Sequence, residues 1–174
     1  MNEGVLEALK TRRSVRAYLP NEIPDRTIAQ ILTAGTWAPT AGNVQAWYFY
    51  VIRDSYLKEK LAAAALQQKF IAQAPVVILV CADLEKARNA YKKRGEELYC
   101  IQDAAAAAQN MLLAAHALDL GACWVGAFDE RSVVDLLGIM PNHRPLAILS
   151  FGKPGHIPTD PGRLPLHQVY SEID

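Results

Sequence analysis

A single domain that mixes α-helices with short buried β-strands is what this sequence predicts, and three observations carry that reading. The chain has 174 residues, a length at which one hydrophobic core suffices and about 70% of the unfolded surface is buried. Helical periodicity alternates with runs of β-branched and aromatic residues, separated by turn residues. The longest helical pattern, residues 96–118, is so rich in alanine that neighbouring helices can approach it closely, which places it at the centre of the fold or of a dimer.

The elements follow in order. A first helix puts Val5, Leu6 and Leu9 on one face and runs to about Thr11, and Pro20 stops the segment after it. Asp25 is expected to cap a second helix whose inner stripe is Ile28, Ile31, Leu32 and Gly35. Residues 46–52 read as an aromatic, β-branched strand, 54–66 as a helix, and 76–81 as a continuously apolar, buried strand. A charged, exposed stretch over 83–94 leads through a hinge at Arg94-Gly95 into the alanine-rich helix, which is expected to stop at Gly121. Strands near 122–127 and 146–152 flank a helix over 131–137. Beyond Pro154 the prolines 158, 161 and 165 and the weak periodicity predict an extended arm with no core of its own. There is no internal repeat, low-complexity linker or second domain, so 1–174 reads as one unit with an arm over 156–174.

Composition excludes several function classes. Lys plus Arg and Asp plus Glu are 18 each, so no global field draws the chain to nucleic acid or to an acidic membrane. No apolar stretch reaches the roughly 20 residues of a membrane span, and the acidic start Met-Asn-Glu-Gly-Val-Leu-Glu does not read as a signal peptide. Cys81, Cys100 and Cys123 are odd in number and widely spaced, which argues against a disulfide framework and for a reducing, cytoplasmic setting. His116, His143, His156 and His167 have no metal-ligand spacing, so no metal is expected. Neither Gly-x-Ser-x-Gly nor Gly-x-Gly-x-x-Gly occurs. Gly121 and Gly126 are spaced as in a phosphate loop, but Ala127-Phe128 stand where Lys and Ser/Thr belong.

What remains is Arg12-Arg13-Ser14-Val15-Arg16, three guanidiniums and a hydroxyl within five positions. Arginine forks match phosphate oxygens and keep their charge, so this cluster suits a monoester phosphate, although such a run also suits a solvated helix end. It is followed by Trp37-Ala-Pro-Thr-Ala-Gly-Asn-Val-Gln-Ala-Trp47, by Gln102-Asp103 through Asn110, by Gly121-Ala-Cys-Trp-Val-Gly-Ala-Phe128, by Phe151-Gly-Lys-Pro154, and by Pro161-Gly-Arg-Leu-Pro165. In this order, over nearly the whole chain, these segments resemble the nitroreductase family of flavin mononucleotide (FMN) enzymes.

The resemblance implies an α+β layered fold with a mostly antiparallel central sheet between helices. It also implies a symmetric homodimer with two flavins at the interface, and an arm reaching the partner subunit through Leu164, Leu166, Val169, Tyr170 and Ile173. An arm wrapped on its own chain is the alternative. By the family pattern Arg12 and Ser14 hold the phosphate and ribityl end of FMN with Arg13 beside them, Arg16 faces the N1/O2 edge of the ring, and Arg163 closes on the phosphate. Pro161 stands where the family often has a second basic residue. Thr40, Gly42 and Asn43 would come from the partner subunit, with Gln45 a weaker candidate, and Gln67 or Gln68 would lie at the pyrimidine edge. The backbone of Trp124, Val125, Gly126 and Ala127 would face N5 and O4, which makes Arg16 and Gly126 the flavin-tuning positions. No side-chain acid, base or nucleophile is expected, because the cofactor carries the chemistry. The implied reaction is NAD(P)H-driven, ping-pong reduction of nitroaromatics, quinones or conjugated enones. Residues 86–99, with Tyr91 and Tyr99, form either an acceptor-facing lid or a solvated helix. A flavin-dependent dehalogenase or flavin-fragmenting enzyme, and a non-catalytic flavin-binding protein, are the alternatives.

Overall fold

The computed structural model describes residues 3–173. Four strands, β1 (Trp47–Ile52), β2 (Val76–Asp83), β3 (Gly121–Val125) and β4 (His143–Gly152), form one sheet in the order β1-β2-β4-β3. Every neighbouring pair is antiparallel, with Val77 opposite both Ile52 and Ser150, and Cys123 also opposite Ser150. Seven helices surround the sheet: α1 (Glu3–Thr11), α2 (Asp25–Thr36), α3 (Ser55–Ala64), α4 (Phe70–Gln73), α5 (Leu84–Arg94), α6 (Cys100–Ala117) and α7 (Glu130–Leu137).

β2 shows why its sequence has no polar alternation. Val76, Ile78 and Val80 face a layer built from Ile28 and Ile31 of α2 and Ala104, Ala108, Met111 and Ala115 of α6. Val77, Leu79 and Cys81 face the opposite layer, with Leu61 of α3, Ile71 of α4 and Val133 of α7. Both sides of the strand are covered, so every position from Val76 to Ala82 is apolar, each large side chain contributing about 1.5–3 kcal/mol on burial. The alanines of α6 let α2 lie close against it, and the predicted inner stripe of α2 is the face that packs there.

Caps and breaks differ from the sequence reading in three places, each for a local reason. Pro24, not Asp25, occupies the cap of α2; Asp25 is the first helical residue and its carboxylate pairs with Arg53 at 2.7 Å. The other helices that begin beside an aspartate do use it: Asp54 accepts from Leu57 N, Asp83 from Lys86 N and Asp129 from Ser132 N. The break before the alanine-rich helix falls at Tyr91–Lys92, where Lys92 has φ 54°, whereas Gly95 is helical and opens a π-helical turn over Gly95–Tyr99. At its other end α6 stops at Ala117 and Asp119 makes the left-handed turn (φ 57°) expected of glycine, so Gly121 already belongs to β3.

Gly121 has a different task. The chain leaving α1 runs along β3, with Ser14 bridged to Ala122 and Val15 N donating to Ala122 O at 3.0 Å. A Cβ on Gly121 would lie 2.7 Å from Val15 Cγ1. Gly121→Ala is therefore expected to cost about 1–3 kcal/mol through overpacking, read as a lowered urea-unfolding midpoint. Farther on, Leu19 N donates to Lys153 O and Gly155 N to Ala17 O. These bonds hold residues 12–19 against the exit from β4.

Candidate functional site

Arg12, Arg13, Ser14 and Arg16 line a recess of about 290 Å3 together with Pro158, Thr159, Pro161 and Arg163. No carboxylate lines it among the described residues. The three arginines of the cluster are not equivalent. Arg13 donates through Nη1 to Lys10 O (2.6 Å) and Arg12 O (3.0 Å), while its Nη2 pairs with Asp160 at 3.0 Å. Its donors are thus occupied in fastening the 158–163 segment to the end of α1. Arg12 is half-buried, and burial followed by the neighbouring charges of Arg163 and Arg13 pulls its pKa below the ordinary arginine value. A guanidinium beside like charge, in a recess that no carboxylate lines, has the chemistry to receive an anion. Arg163 donates to Gly162 O at 2.6 Å. Arg16 is exposed; it donates to Ser14 O at 3.5 Å and sits 5.9 Å above the Phe70 ring.

Phe70 links this recess to a second group of predicted residues. Two residues before it, Gln68 donates through Nε2 to Ala65 O (2.9 Å) and Ala127 O (3.4 Å), tying its loop to the chain beyond β3. Gln67 is exposed with φ 60°, so Gln68 is the amide directed to this place. Val125 is buried, but Gly126 and Ala127 are exposed, and a Cβ on Gly126 would meet only Trp124 Nε1, at 3.7 Å. The backbone there is open to a ligand.

Thr40, Gly42 and Asn43 lie elsewhere. Residues Ala41–Asn43 form a 3₁₀ turn in which Gly42 (φ 52°), Asn43 (φ 55°) and, just beyond, Gln45 (φ 55°) are left-handed. Thr40 Oγ1 accepts from Gln45 N at 3.2 Å, and Gln45 Nε2 donates to Asn43 Oδ1 at 3.3 Å. A side chain on Gly42 would meet the Tyr91 hydroxyl and displace it, and the positive φ favours glycine there. Ala41 N donates to Asp103 Oδ1 at 3.1 Å, which seats the turn on the first part of α6. The arginine recess sits at the other end of that helix, where His116 Nε2 lies 2.8 Å from Thr11 Oγ1. The Thr11 hydroxyl gives its proton to Glu7 O, so His116 is the donor. Asp103 and His116 are about 20 Å apart at the rise of an α-helix. One chain therefore carries the two halves of the predicted residue set at opposite ends of α6.

Comparison with known proteins places this geometry. The model of the nitroreductase family matches residues 9–69 and 63–153. The chain belongs to the nitroreductase family. It is 32% identical to an NADH dehydrogenase of Thermus thermophilus over 190 residues, covering 93% of this chain and 92% of that protein. To an FMN reductase (NADPH) of Bacillus subtilis it is 27% identical, covering 97% of this chain and 73% of the relative. Among solved structures, the NADPH:FMN oxidoreductase of Vibrio harveyi complexed with NAD+ superposes with a TM-score of 0.90 at 26% identity, over 98% of this chain and 77% of that one. The antiparallel sheet between helix layers is the fold of these nitroreductase-family neighbours.

Sequence reasoning passed over three residues that shape the site: Phe70 beneath Arg16, Asp160 holding Arg13, and Asp103 holding the 40–43 turn. No group of three or more His, Cys, Asp or Glu capable of holding a metal occurs among the described residues, and none of the described helices is long and apolar enough to cross a membrane.

Proposed function

We propose that this chain is an NAD(P)H-dependent FMN oxidoreductase, working as a homodimer in a reducing cytoplasm and passing electrons to nitroaromatics, quinones or related conjugated acceptors. The observation that carries the reading is the carboxylate-free recess in which Arg12 and Arg163 crowd one another. A phosphate dianion relieves that crowding, and the residues present fit the phosphate end of FMN. The family membership and the flavin reductases among its relatives support the same cofactor and the same reductant.

FMN, when bound, supplies the ring that takes a hydride from NAD(P)H and delivers electrons to the acceptor. The chain's own work is to hold and to bias. Arg12, Arg163 and Ser14 grip the phosphate end, and Arg13 acts beside them by fixing the 158–163 segment through Asp160. Arg16, over Phe70, sets a fixed cation where negative charge on a reduced ring is favoured. Gln68 and the open backbone at Val125, Gly126 and Ala127 offer the remaining donors on this side. Thr40, Gly42 and Asn43 serve a second flavin, held by the partner subunit, because about 20 Å of α6 separates them from the recess of their own chain. The exposed apolar side chains of α1 (Val5, Leu6, Leu9) and of the arm (Leu164, Leu166, Val169, Tyr170, Ile173) are the surfaces that a second copy covers. All three cysteines are free, in keeping with a reducing compartment.

The purified protein is expected to take up FMN and to release FMN, not FAD, on denaturation. Anaerobic NADH or NADPH should bleach the bound flavin, and a quinone or nitroaromatic should restore its colour. A protein that takes up no FMN overturns the proposal, and one whose bound FMN neither reduced nicotinamide bleaches is a flavin carrier instead.

A further inference from the structure

Asp103 is the one carboxylate of α6, and it is only 6% exposed. A single bond accounts for its position, the one it accepts from Ala41 N. Burial raises its pKa and that bond lowers it, so the carboxylate is held at a cost to the fold. The turn it holds has few other bonds to the rest of the fold. Gly42, Asn43 and Gln45 are all left-handed; apart from a bond from the exposed Lys86 Nζ to Gln45 O (3.2 Å), the other bonds of the segment, such as Gln45 N to Thr40 Oγ1, are internal to it. Tyr91 covers the turn from the other side, with its hydroxyl against Gly42, but Tyr91 stands at the break in α5 and is itself exposed. Asp103 is the rigid partner, since α6 is packed into the core along its length.

We propose that Asp103 is a positioning residue for flavin binding, its carboxylate anchoring Ala41 N–H so that Gly42 and Asn43 are presented to the FMN of the partner subunit. This rests on the two-chain flavin site proposed above. The role needs an acceptor at Oδ1 and does not need the charge, so asparagine should replace aspartate and alanine should not.

The test uses the dimer in its FMN-free and FMN-titrated forms. In D103A the amides of residues 41–45 should exchange with solvent at least about tenfold faster in the FMN-free protein, the amides of β2 and β4 remaining protected, and FMN affinity should fall about tenfold. D103N should hold both quantities within about threefold of wild type. A mixed dimer of one D103A and one R12A subunit should then regain one site of wild-type affinity, because one of its two sites draws both halves from undamaged segments. Wild-type FMN affinity in D103A overturns the inference, as does a D103N protein as impaired as D103A. If D103A behaves as expected but the mixed dimer has no wild-type site, the positioning role stands and the two-chain arrangement is what fails.

Discussion

FMN affinity is expected to fall about tenfold to a hundredfold when Arg12 is replaced by alanine, the loss of one charge-assisted phosphate contact of about 1.5–3 kcal/mol. The effect is large because Arg12 is half-buried and has Arg163 and Arg13 as its charged neighbours. Arg13→Ala should act by another route. It releases Asp160, and through it the 158–163 segment, so it leaves a free carboxylate beside the recess and displaces Arg163. The two variants are separable without FMN. Removing Arg12 relieves like-charge crowding, so R12A should unfold at the same urea concentration as the wild-type FMN-free protein or a higher one, whereas R13A should unfold earlier. Calorimetric titration of FMN into each variant, set beside urea unfolding, decides the assignment. Unchanged affinity in R12A would remove the phosphate from this recess.

Deleting residues 164–174 should weaken the dimer by at least about a hundredfold, some 2.8 kcal/mol, while leaving Arg163 in place. Leu164, Leu166, Val169 and Tyr170 are each more than half exposed and Ile173 is 95% exposed. Burying such side chains is worth about 1.5–3 kcal/mol apiece before the cost of ordering the arm is subtracted. Analytical ultracentrifugation over a dilution series reads the change. Flavin should be lost in step with dissociation, since each site needs two chains. An undiminished dimer would mean that the arm contributes nothing to the interface.

Legibility in the sequence followed the range of the interactions. The inner stripe of α2 shows as helical period and the buried β2 as an unbroken apolar run, whereas the aspartates that cap α3, α5 and α7 do not stand out from Asp25, which caps nothing. α4 is four residues long, too short to show a period. The break before the alanine-rich helix was expected at Gly95 because glycine usually marks such a point, yet Gly95 is buried close against Ala87 and the strain sits on Lys92. In the site, the basic cluster was visible as composition, but its division of labour was not. Arg13 looks like Arg12 until Asp160, 147 positions away, is brought beside it. In the sequence Asp103 is visible only as part of a helix motif, because the turn it holds reaches it through tertiary packing alone.

The three cysteines gain a meaning from the chemistry around them. Cys81, Cys100 and Cys123 are all buried, and burial pushes every one of their thiols up, that of Cys81 to about 12. Only the thiolate attacks peroxides and alkylating reagents, and at neutral pH the buried Cys81 stays a thiol. Cys123 lies near Arg16 and Arg12, beside the proposed flavin site. Keeping that sulfur protonated and shielded holds it at the bottom of the oxidation ladder, so a thiol can sit beside a redox cofactor without joining its chemistry.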